Sequence, residues 1–390
     1  MKLDHLSHIL ISLVISTSSI GYCQDRMLCQ GHYWTEAEAE TMMKKFASKW
    51  DDKESWEKRA EIIREGIITG MKLNQMPEIS GNFNPIVRDK KIMDGYSVEN
   101  ISIESFPGFY ITGNIYKPLK PEGINPAVLC THGHKSNRGF TKNFQIRCAS
   151  LARMGAIVFA YNMVGRMGTN QVSHSMPISL LLQTWNSRRV LEYLISRSDV
   201  DSERIGMTGE SGGGTQTFIL AAIDDRLKVS VPVVQVSAHF FGGCIGESGM
   251  PIHKSNHHQT NNVEIAALCA PRPMLLISDG EDWTRNTPEV EYPYIKKVYS
   301  LYDSVHKVKN VHFATEKHDY GYSKRAAAYV FLARYLELDL DKIPYNDKFL
   351  EDFVTILPNE QLRVFNDKNP LPDNALMGNE AVMDYLKIYE

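Results

Sequence analysis

One serine in this sequence stands where a nucleophile would be expected to act. Segment 209–213 reads Gly-Glu-Ser-Gly-Gly, with Ser211 at its centre. An apolar stretch precedes it and a run of helix-forming residues follows, so the pattern predicts a strand, a sharp turn and a helix. Such a turn crowds the backbone and requires small neighbours, and the helix directs its N-terminal N–H groups at the serine. Ser211 is therefore our candidate nucleophile, although the same motif also occurs in ordinary glycine-rich loops.

A serine hydroxyl needs a base to remove its proton and an acid to orient that base. Candidates for both lie further along the chain. His318 lies between the last predicted strand and the last long predicted helix, and it is the candidate base. Asp282 and Asp279 follow the preceding strand, and Glu247 follows the strand before that one. Each of these three carboxylates is a candidate for the acid.

The negative charge that develops on the substrate carbonyl needs backbone N–H donors. The residue after the nucleophile, Gly212, supplies one donor. We expect the second from His134, because the loop that follows strand 127–131 begins His-Gly-His. Removing one such donor typically costs about 3 kcal/mol of transition-state stabilisation.

Three further side chains are candidate substrate contacts. Arg166 follows a strand at its carboxyl end and could pair with a substrate carboxylate, or with an acid that braces the loops. Trp283 could stack on a sugar ring or pack in the core. His258 lies in a segment that could cover the site. The nearby histidines show no metal-motif spacing, so we predict neither a metal nor any other cofactor.

The pattern of apolar segments predicts an α/β fold. Two segments with alternating polarity, 98–105 and 110–116, predict a half-exposed antiparallel hairpin. Fully apolar segments then alternate with helical ones, which indicates a mostly parallel sheet covered by helices on both faces. The strands are expected at 127–131, 156–161, 204–208, 229–234, 274–278 and 311–314, and the helices near 142–154, 177–197, 213–223, 288–304 and 322–337.

The chain is expected to divide into four parts along its length. Residues 1–23 form a signal peptide, 24–90 a helical N-terminal extension, 91–340 the catalytic domain and 341–390 a C-terminal extension. Within the catalytic domain, an insert at about 235–270 is expected to act as a lid or substrate-binding cap.

The N-terminus predicts export to the periplasm or the outside of the cell. Lys2 precedes a short apolar run at 9–15 and then small residues, as in a secretory signal peptide. Acylation of Cys23 as a lipoprotein is disfavoured by the bulky Tyr22. The formal net charge of −3 and the absence of a basic stripe argue against nucleic-acid binding, and no run is long and apolar enough to predict a membrane span.

These residues together resemble the α/β-hydrolase superfamily over about residues 97–338. The resemblance rests on 132–133, 209–213, Asp282 and His318, and segment 261–280 is similar to secreted bacterial carbohydrate esterases of the acetylxylan-esterase-like and pectin-methylesterase-like kinds. It implies a serine carboxylesterase that removes acetyl or methyl esters from plant-type polysaccharides or their oligosaccharides. It also favours Asp282 as the acid, because relatives place the acid a few residues past the glycine of this loop.

Two other functions compete with the esterase. The motif around Ser211 also occurs in prolyl-oligopeptidase-type peptidases, but the segment before the hydrolase region reads as helix and leaves no room for their usual β-propeller. A non-catalytic binding module on the same scaffold is the second alternative. The occurrence of serine, acid and histidine in the required order argues against it.

Overall fold

The structure is a computed structural model. It describes residues 33–79, 81–120, 123–134, 140–167 and 170–388. The predicted signal peptide and Cys23 lie outside the described residues. None of the described helices is both long and apolar enough to cross a bilayer.

The described residues form a nine-stranded sheet with the order β1-β2-β3-β5-β4-β6-β7-β8-β9. The first three strands and β5 pair antiparallel, whereas β5, β4, β6, β7, β8 and β9 are parallel neighbours. The predicted α/β fold with an antiparallel lead-in is confirmed, and only β1 was not predicted. The strands are β1 (Ile86–Ile92), β2 (Tyr96–Phe106), β3 (Phe109–Pro118), β4 (Asn125–Thr131), β5 (Ile157–Tyr161), β6 (Val200–Glu210), β7 (Val229–Val233), β8 (Met274–Asp279) and β9 (Val308–Phe313).

Helices cover both faces of this sheet. Alternate residues of β4 enter different cores, since Leu129 belongs to one apolar cluster and Val128 to the other. Helices α1, α2, α4, α5, α7, α8 and α10 contribute to the first cluster, and α3 and α9 to the second. The helices are α1 (Glu36–Ala47), α2 (Lys53–Gly70), α3 (Lys142–Arg153), α4 (Ser179–Ser196), α5 (Gly212–Ile223), α6 (Ile245–Ser248), α7 (Asn262–Ala267), α8 (Tyr292–Ser300), α9 (Tyr322–Leu336) and α10 (Asn379–Leu386).

The N-terminal helices are part of the main core. Thr35 and Asp52 cap α1 and α2, and each accepts a hydrogen bond from the backbone three residues later. The inward faces of these helices, including Trp56 and Ile63, belong to the same apolar cluster as Leu129 of the central sheet. The described part of the helical extension therefore packs directly on the catalytic scaffold.

The predicted half-exposure of the β2–β3 hairpin is wrong, because every residue of β2 is buried. The C-terminal segment covers it. Asn100 donates to the carbonyl oxygens of Gln361 and Arg363 at 3.1 and 3.2 Å, and Phe365 packs edge-on against Tyr110. Asn100 and Asn114 thus donate to main-chain carbonyls of the covering segment instead of facing solvent.

The insert at 235–270 packs mainly into the core. Ile252, Val263 and Ile265 are fully buried and join the cluster that holds the N-terminal helices. Only its first part, around Phe240 to Glu247, contacts side chains of the candidate site. A covering role is therefore confined to that first part.

Candidate active site

Ser211 occupies the sharp turn between β6 and α5. Its φ of 55° and ψ of −126° lie in a region that non-glycine residues rarely adopt, and its N–H donates to the Val233 carbonyl at 3.0 Å. A Cβ on Gly209 would stand 2.1 Å from the Thr131 hydroxyl oxygen, and one on Gly213 only 2.8 Å away. Both glycines are therefore required by the close approach of β4, as the motif suggested.

His318 and Asp282 form a short, directed hydrogen bond. The His318 Nδ1 donates to Asp282 Oδ2 at 2.6 Å. The other carboxylate oxygen accepts from both the N–H and the hydroxyl of Thr284, each at 2.6 Å, which fixes the carboxylate orientation. The bond at Nδ1 leaves the Nε2 of His318 as the nitrogen that can accept a proton.

The serine, the acid and the histidine follow three parallel strands at the same end. Ser211 follows β6, Asp282 follows β8 and His318 follows β9. The carboxyl ends of parallel strands meet at one edge of the sheet, which is where α/β folds place their sites. Trp283 packs on the His318 ring with a centroid separation of 4.4 Å, and Phe240 from the loop after β7 stacks on Trp283 at 4.2 Å.

The two alternative acids have other partners. Asp279 is fully buried, and its Oδ2 lies 3.2 Å from the Lys324 Nζ. Burial, together with the neighbouring charge of Asp282, raises the pKa of Asp279 to about 6. Glu247 accepts from the Gly243 N–H at 2.7 Å and from Gln235 Nε2 at 3.2 Å. The geometry therefore favours Asp282 as the acid that serves His318.

The loop after β4 passes directly beside the nucleophile. A Cβ on Gly133 would lie 3.3 Å from the Ser211 Cβ, and the His134 ring lies against Gly212 at the start of α5. The backbone N–H groups of Gly212 and His134 remain our predicted oxyanion donors. This close approach is what such a role requires.

The role of His132 was not recognised from the sequence. Its buried ring donates from Nδ1 to the Gly133 carbonyl at 2.8 Å and accepts at Nε2 from the Met163 N–H at 3.2 Å. It thereby joins the loop after β4 to the segment after β5. Burial lowers the pKa of His132 to about 4, and protonation would turn its accepting nitrogen into a donor facing another donor.

We expect His132 to make the fold sensitive to acid. Its folded pKa lies below the ordinary value of 6.5, so protonation favours the unfolded chain and stability is lost as the pH falls from about 6.5 toward 4. Between about pH 7 and pH 5 this residue should remove about 2 kcal/mol of unfolding free energy. Denaturant titrations at both pH values measure the effect. A His132→Gln variant should lose that part of the pH dependence, and an unchanged slope would refute it.

Gly212→Ala should lower activity by about 100-fold without unfolding the protein. The new Cβ would stand 1.8 Å from the His134 Cε1, and that ring has little room because Gly246 lies on its other side. The loop beside Ser211 must then shift. Steady-state kinetics on an aryl ester measure the loss. Gly243→Ala is the control, because its Cβ would meet nothing nearer than 3.7 Å, and equal activity in the two variants would refute the prediction.

The predicted substrate contacts have different surroundings. Trp283 lies against His318, as described, and its indole N–H has no hydrogen-bond partner within the part of the chain that the structure describes. His258 instead bonds to Ser255 Oγ and to the Ile252 carbonyl, and packs against Gly66. It borders a separate groove of about 530 Å³. These contacts correct our interpretation of His258, since both ring nitrogens serve the local fold.

Arg166 lies in the turn after β5, half-buried, with its N–H bonded to the Met163 carbonyl at 3.0 Å. Its Nε is buried and has no hydrogen-bond partner, and it forms no ion pair with a described residue. A brace between Arg166 and an acid is therefore not observed among those residues. The side chain retains the capacity to bind an anionic group.

Among the described residues, one cluster could hold a metal ion, and it is not the one considered from the sequence. It consists of His134, His174 and Cys244. No motif spacing indicated this cluster, because its members follow three different strands. In contrast, His253 bonds to Asn262 at 2.7 Å and is fully buried in the core.

The mostly parallel sheet with helices on both faces has the architecture of an α/β-hydrolase, and the candidate residues Ser211, Asp282 and His318 follow β6, β8 and β9 at one end of it. Residues 72–241 match the family model described as acetyl xylan esterase, a region that ends before Asp282 and His318. The solved structure of Methylesterase BT1017 is 37% identical, covers 91% of this chain and 80% of its own, and superposes with a TM-score of 0.84. The chain belongs to the same family of carbohydrate esterases as this methylesterase and is a carboxylic ester hydrolase.

More distant proteins share part of the sequence or the fold alone. YtaP of Bacillus subtilis (strain 168), which is named as a hydrolase, is 29% identical over 236 residues, or 54% of this chain and 76% of YtaP. A glucuronoyl esterase from Solibacter usitatus shares the fold at 15% identity, with a TM-score of 0.53 over 73% of this chain and 94% of the esterase. The family favours the ester hydrolase over the peptidase and the non-catalytic module.

Proposed function

We propose that this protein is a serine esterase that removes methyl or acetyl groups from ester-decorated carbohydrate through Ser211, His318 and Asp282. The observation that carries the proposal is the 2.6 Å hydrogen bond from His318 Nδ1 to Asp282, at the sheet edge where Ser211 occupies its strained turn. This arrangement supports a histidine that is oriented as a base and a serine that is exposed as a nucleophile.

The proposed reaction has two stages. Ser211 Oγ attacks the ester carbonyl while His318 Nε2 takes its proton, and the N–H groups of Gly212 and His134 bind the oxyanion. The C–O bond to the alcohol breaks, and His318 returns the proton to the leaving oxygen. Water, deprotonated by His318, then cleaves the acyl-enzyme and regenerates Ser211. Asp282 holds the histidine tautomer and stabilises the imidazolium.

The ester is identified by the product it releases. A methyl ester of a sugar acid leaves methanol and places the sugar in the acyl-enzyme, whereas an acetylated sugar leaves the sugar alcohol and forms an acetyl-enzyme. We place methyl esters first, because the relative that is 37% identical is named a methylesterase. Methanol and acetate should be measured together on methylated pectin and acetylated xylan. Release of neither product, with an aryl acetate also uncleaved, would refute the esterase proposal.

Arg166 supports a substrate that carries acid groups. The Arg166 charge contributes to lowering the pKa of His174, so the two side chains are neighbours. The His174 ring in turn lies 4.8 Å from the His134 ring, which lies against Gly212 in the candidate site. A partially methylated sugar acid polymer presents free carboxylates next to each ester. An unpaired guanidinium is suited to bind such a carboxylate with two hydrogen bonds.

Arg166→Gln is therefore expected to raise KM on a partially methylated polyuronate by about 10- to 100-fold, because a charge-assisted hydrogen bond is lost. Turnover of a small uncharged aryl ester should change less than about twofold by the same argument. Steady-state kinetics on both substrates test this. Arg363→Gln, which alters an exposed arginine of the C-terminal segment, is the control. If Arg166→Gln lost activity equally on both substrates, the substitution would have damaged the site itself, which would contradict a role in binding the carboxylate.

Export is part of the same proposal. Residues 1–23 have the charge, apolar run and small residues of a secretory signal peptide. A polymeric carbohydrate substrate would be met outside the cytoplasm. Fractionation of cells expressing the full chain, with sequencing of the mature N-terminus, tests this part independently of the chemistry.

A further inference from the structure

Three loops bring two histidines and a cysteine together beside the nucleophile turn. His134 follows β4, His174 follows β5 and Cys244 follows β7, and one potential ligand atom from each lies within 4.8 Å of the others. Imidazole nitrogen and thiolate sulphur are the ligands that zinc and similar ions prefer in proteins. We propose that His134, His174 and Cys244 bind a divalent transition metal ion, for which zinc is the best match.

His174 has the orientation of a metal ligand. Its Nδ1 donates to the Val164 carbonyl at 2.7 Å, so Nε2 carries the lone pair. That nitrogen lies 3.8 Å from the Cys244 Sγ. A backbone carbonyl behind a histidine is the usual means of fixing a ligand's tautomer and ring direction.

The His134 ring is largely enclosed and has one carboxylate beside it. Its Nε2 is buried without a hydrogen-bond partner among the described residues, an arrangement that is costly unless something else binds there. The Glu247 Oε1 lies 3.4 Å from its Nδ1, close enough for a carboxylate to orient the ring and leave Nε2 for the metal. The Glu247 carboxylate is itself anchored by Gly243 and Gln235.

The charges and distances suit a divalent ion after a small adjustment. On binding, the metal would replace the proton of the Cys244 thiol, and that proton would pass to solvent. The resulting thiolate and Glu247 supply two negative charges, opposed by Arg166 nearby. Ligand atoms of a tetrahedral site lie about 3.5 Å apart, so the three loops must draw together by about 1 Å when the ion binds.

The ion would tie together the loops after β4, β5 and β7. It would fix the His134 ring next to Gly212. It would also stabilise the protein, because it binds the folded chain in preference to the unfolded chain. This proposal does not depend on the esterase mechanism, because its readouts are metal binding and stability. It replaces our sequence-based expectation that the protein binds no metal.

Cobalt titration of the chelator-treated full chain tests the site. We expect about one equivalent of Co²⁺ with a thiolate-to-cobalt absorption band, its displacement by Zn²⁺, and a rise in melting temperature with Zn²⁺. Cys244→Ser and His174→Ala should each abolish the band and weaken binding at least about tenfold. Cys269→Ala, which alters a buried thiol in another part of the fold, should behave as the parent.

Two results would overturn the proposal. One is the absence of a thiolate band in the parent chain, and the other is an unchanged band in Cys244→Ser. Aryl ester hydrolysis should be measured on the same samples. A chain that hydrolyses the ester but binds no metal would defeat this inference and leave the proposed function intact.

Discussion

Ser211→Ala is expected to reduce kcat on an aryl acetate by about 10⁵-fold, because the variant has no oxygen to form the acyl-enzyme. The fold should be unaffected. Alanine tolerates the positive φ of 55° about as well as serine, and the lost side chain is only half-buried. Steady-state kinetics and thermal unfolding of the same preparation separate loss of chemistry from loss of structure.

Ser202→Ala is the matched control for that experiment. Ser202 lies on the same strand, β6, but is exposed and distant in sequence from the nucleophile turn. Its variant should retain the parent's activity. If Ser211→Ala turned over the ester at the parent's rate, the nucleophile would have to be another group.

Asp282→Asn is expected to lower kcat by about 10⁴-fold. The carboxylate accepts from His318 Nδ1 at 2.6 Å and from Thr284 through its other oxygen. An amide in its place can present an N–H to Nδ1, which favours the tautomer that carries its proton on Nε2 and cannot take one from serine. The shape of the side chain is nearly unchanged, so the loss should fall on kcat with the fold intact.

Asp279→Asn is the control, because it makes the same chemical change three residues earlier. Asp279 pairs with Lys324, and its loss should lower stability while reducing kcat by less than about tenfold. A larger kcat loss in Asp279→Asn than in Asp282→Asn would reverse our assignment of the acid. That comparison decides between Asp282 and Asp279, two of the three carboxylates that the sequence left open.

The parallel strands were predictable because burial on both faces leaves a continuous apolar run in the sequence. β8, for example, reads Met-Leu-Leu-Ile-Ser-Asp and is buried throughout. The glycines around Ser211 were equally informative, since only glycine fits beside Thr131. In both cases the structural requirement leaves a short pattern in the sequence, which is an unbroken apolar run for the strand and a pair of glycines for the turn.

Long-range contacts could not be predicted in this way. The alternation in β2 indicated a solvent-facing side, but a segment more than 250 residues later supplies the carbonyls that Asn100 binds. The cluster of His134, His174 and Cys244 likewise depends on three loops that meet only after the sheet has formed. The contact of His258 with Gly66 is a further example that becomes visible only in the fold.

Active-site labelling with a fluorophosphonate tests the central claim most directly. The reagent forms a stable bond only with a serine whose proton is removed by a neighbouring base. We expect one adduct per parent chain, mapped by peptide mass spectrometry to Ser211, slow labelling in Asp282→Asn and none in Ser211→Ala. An adduct on another residue, or ester hydrolysis that survives complete labelling, would contradict the account.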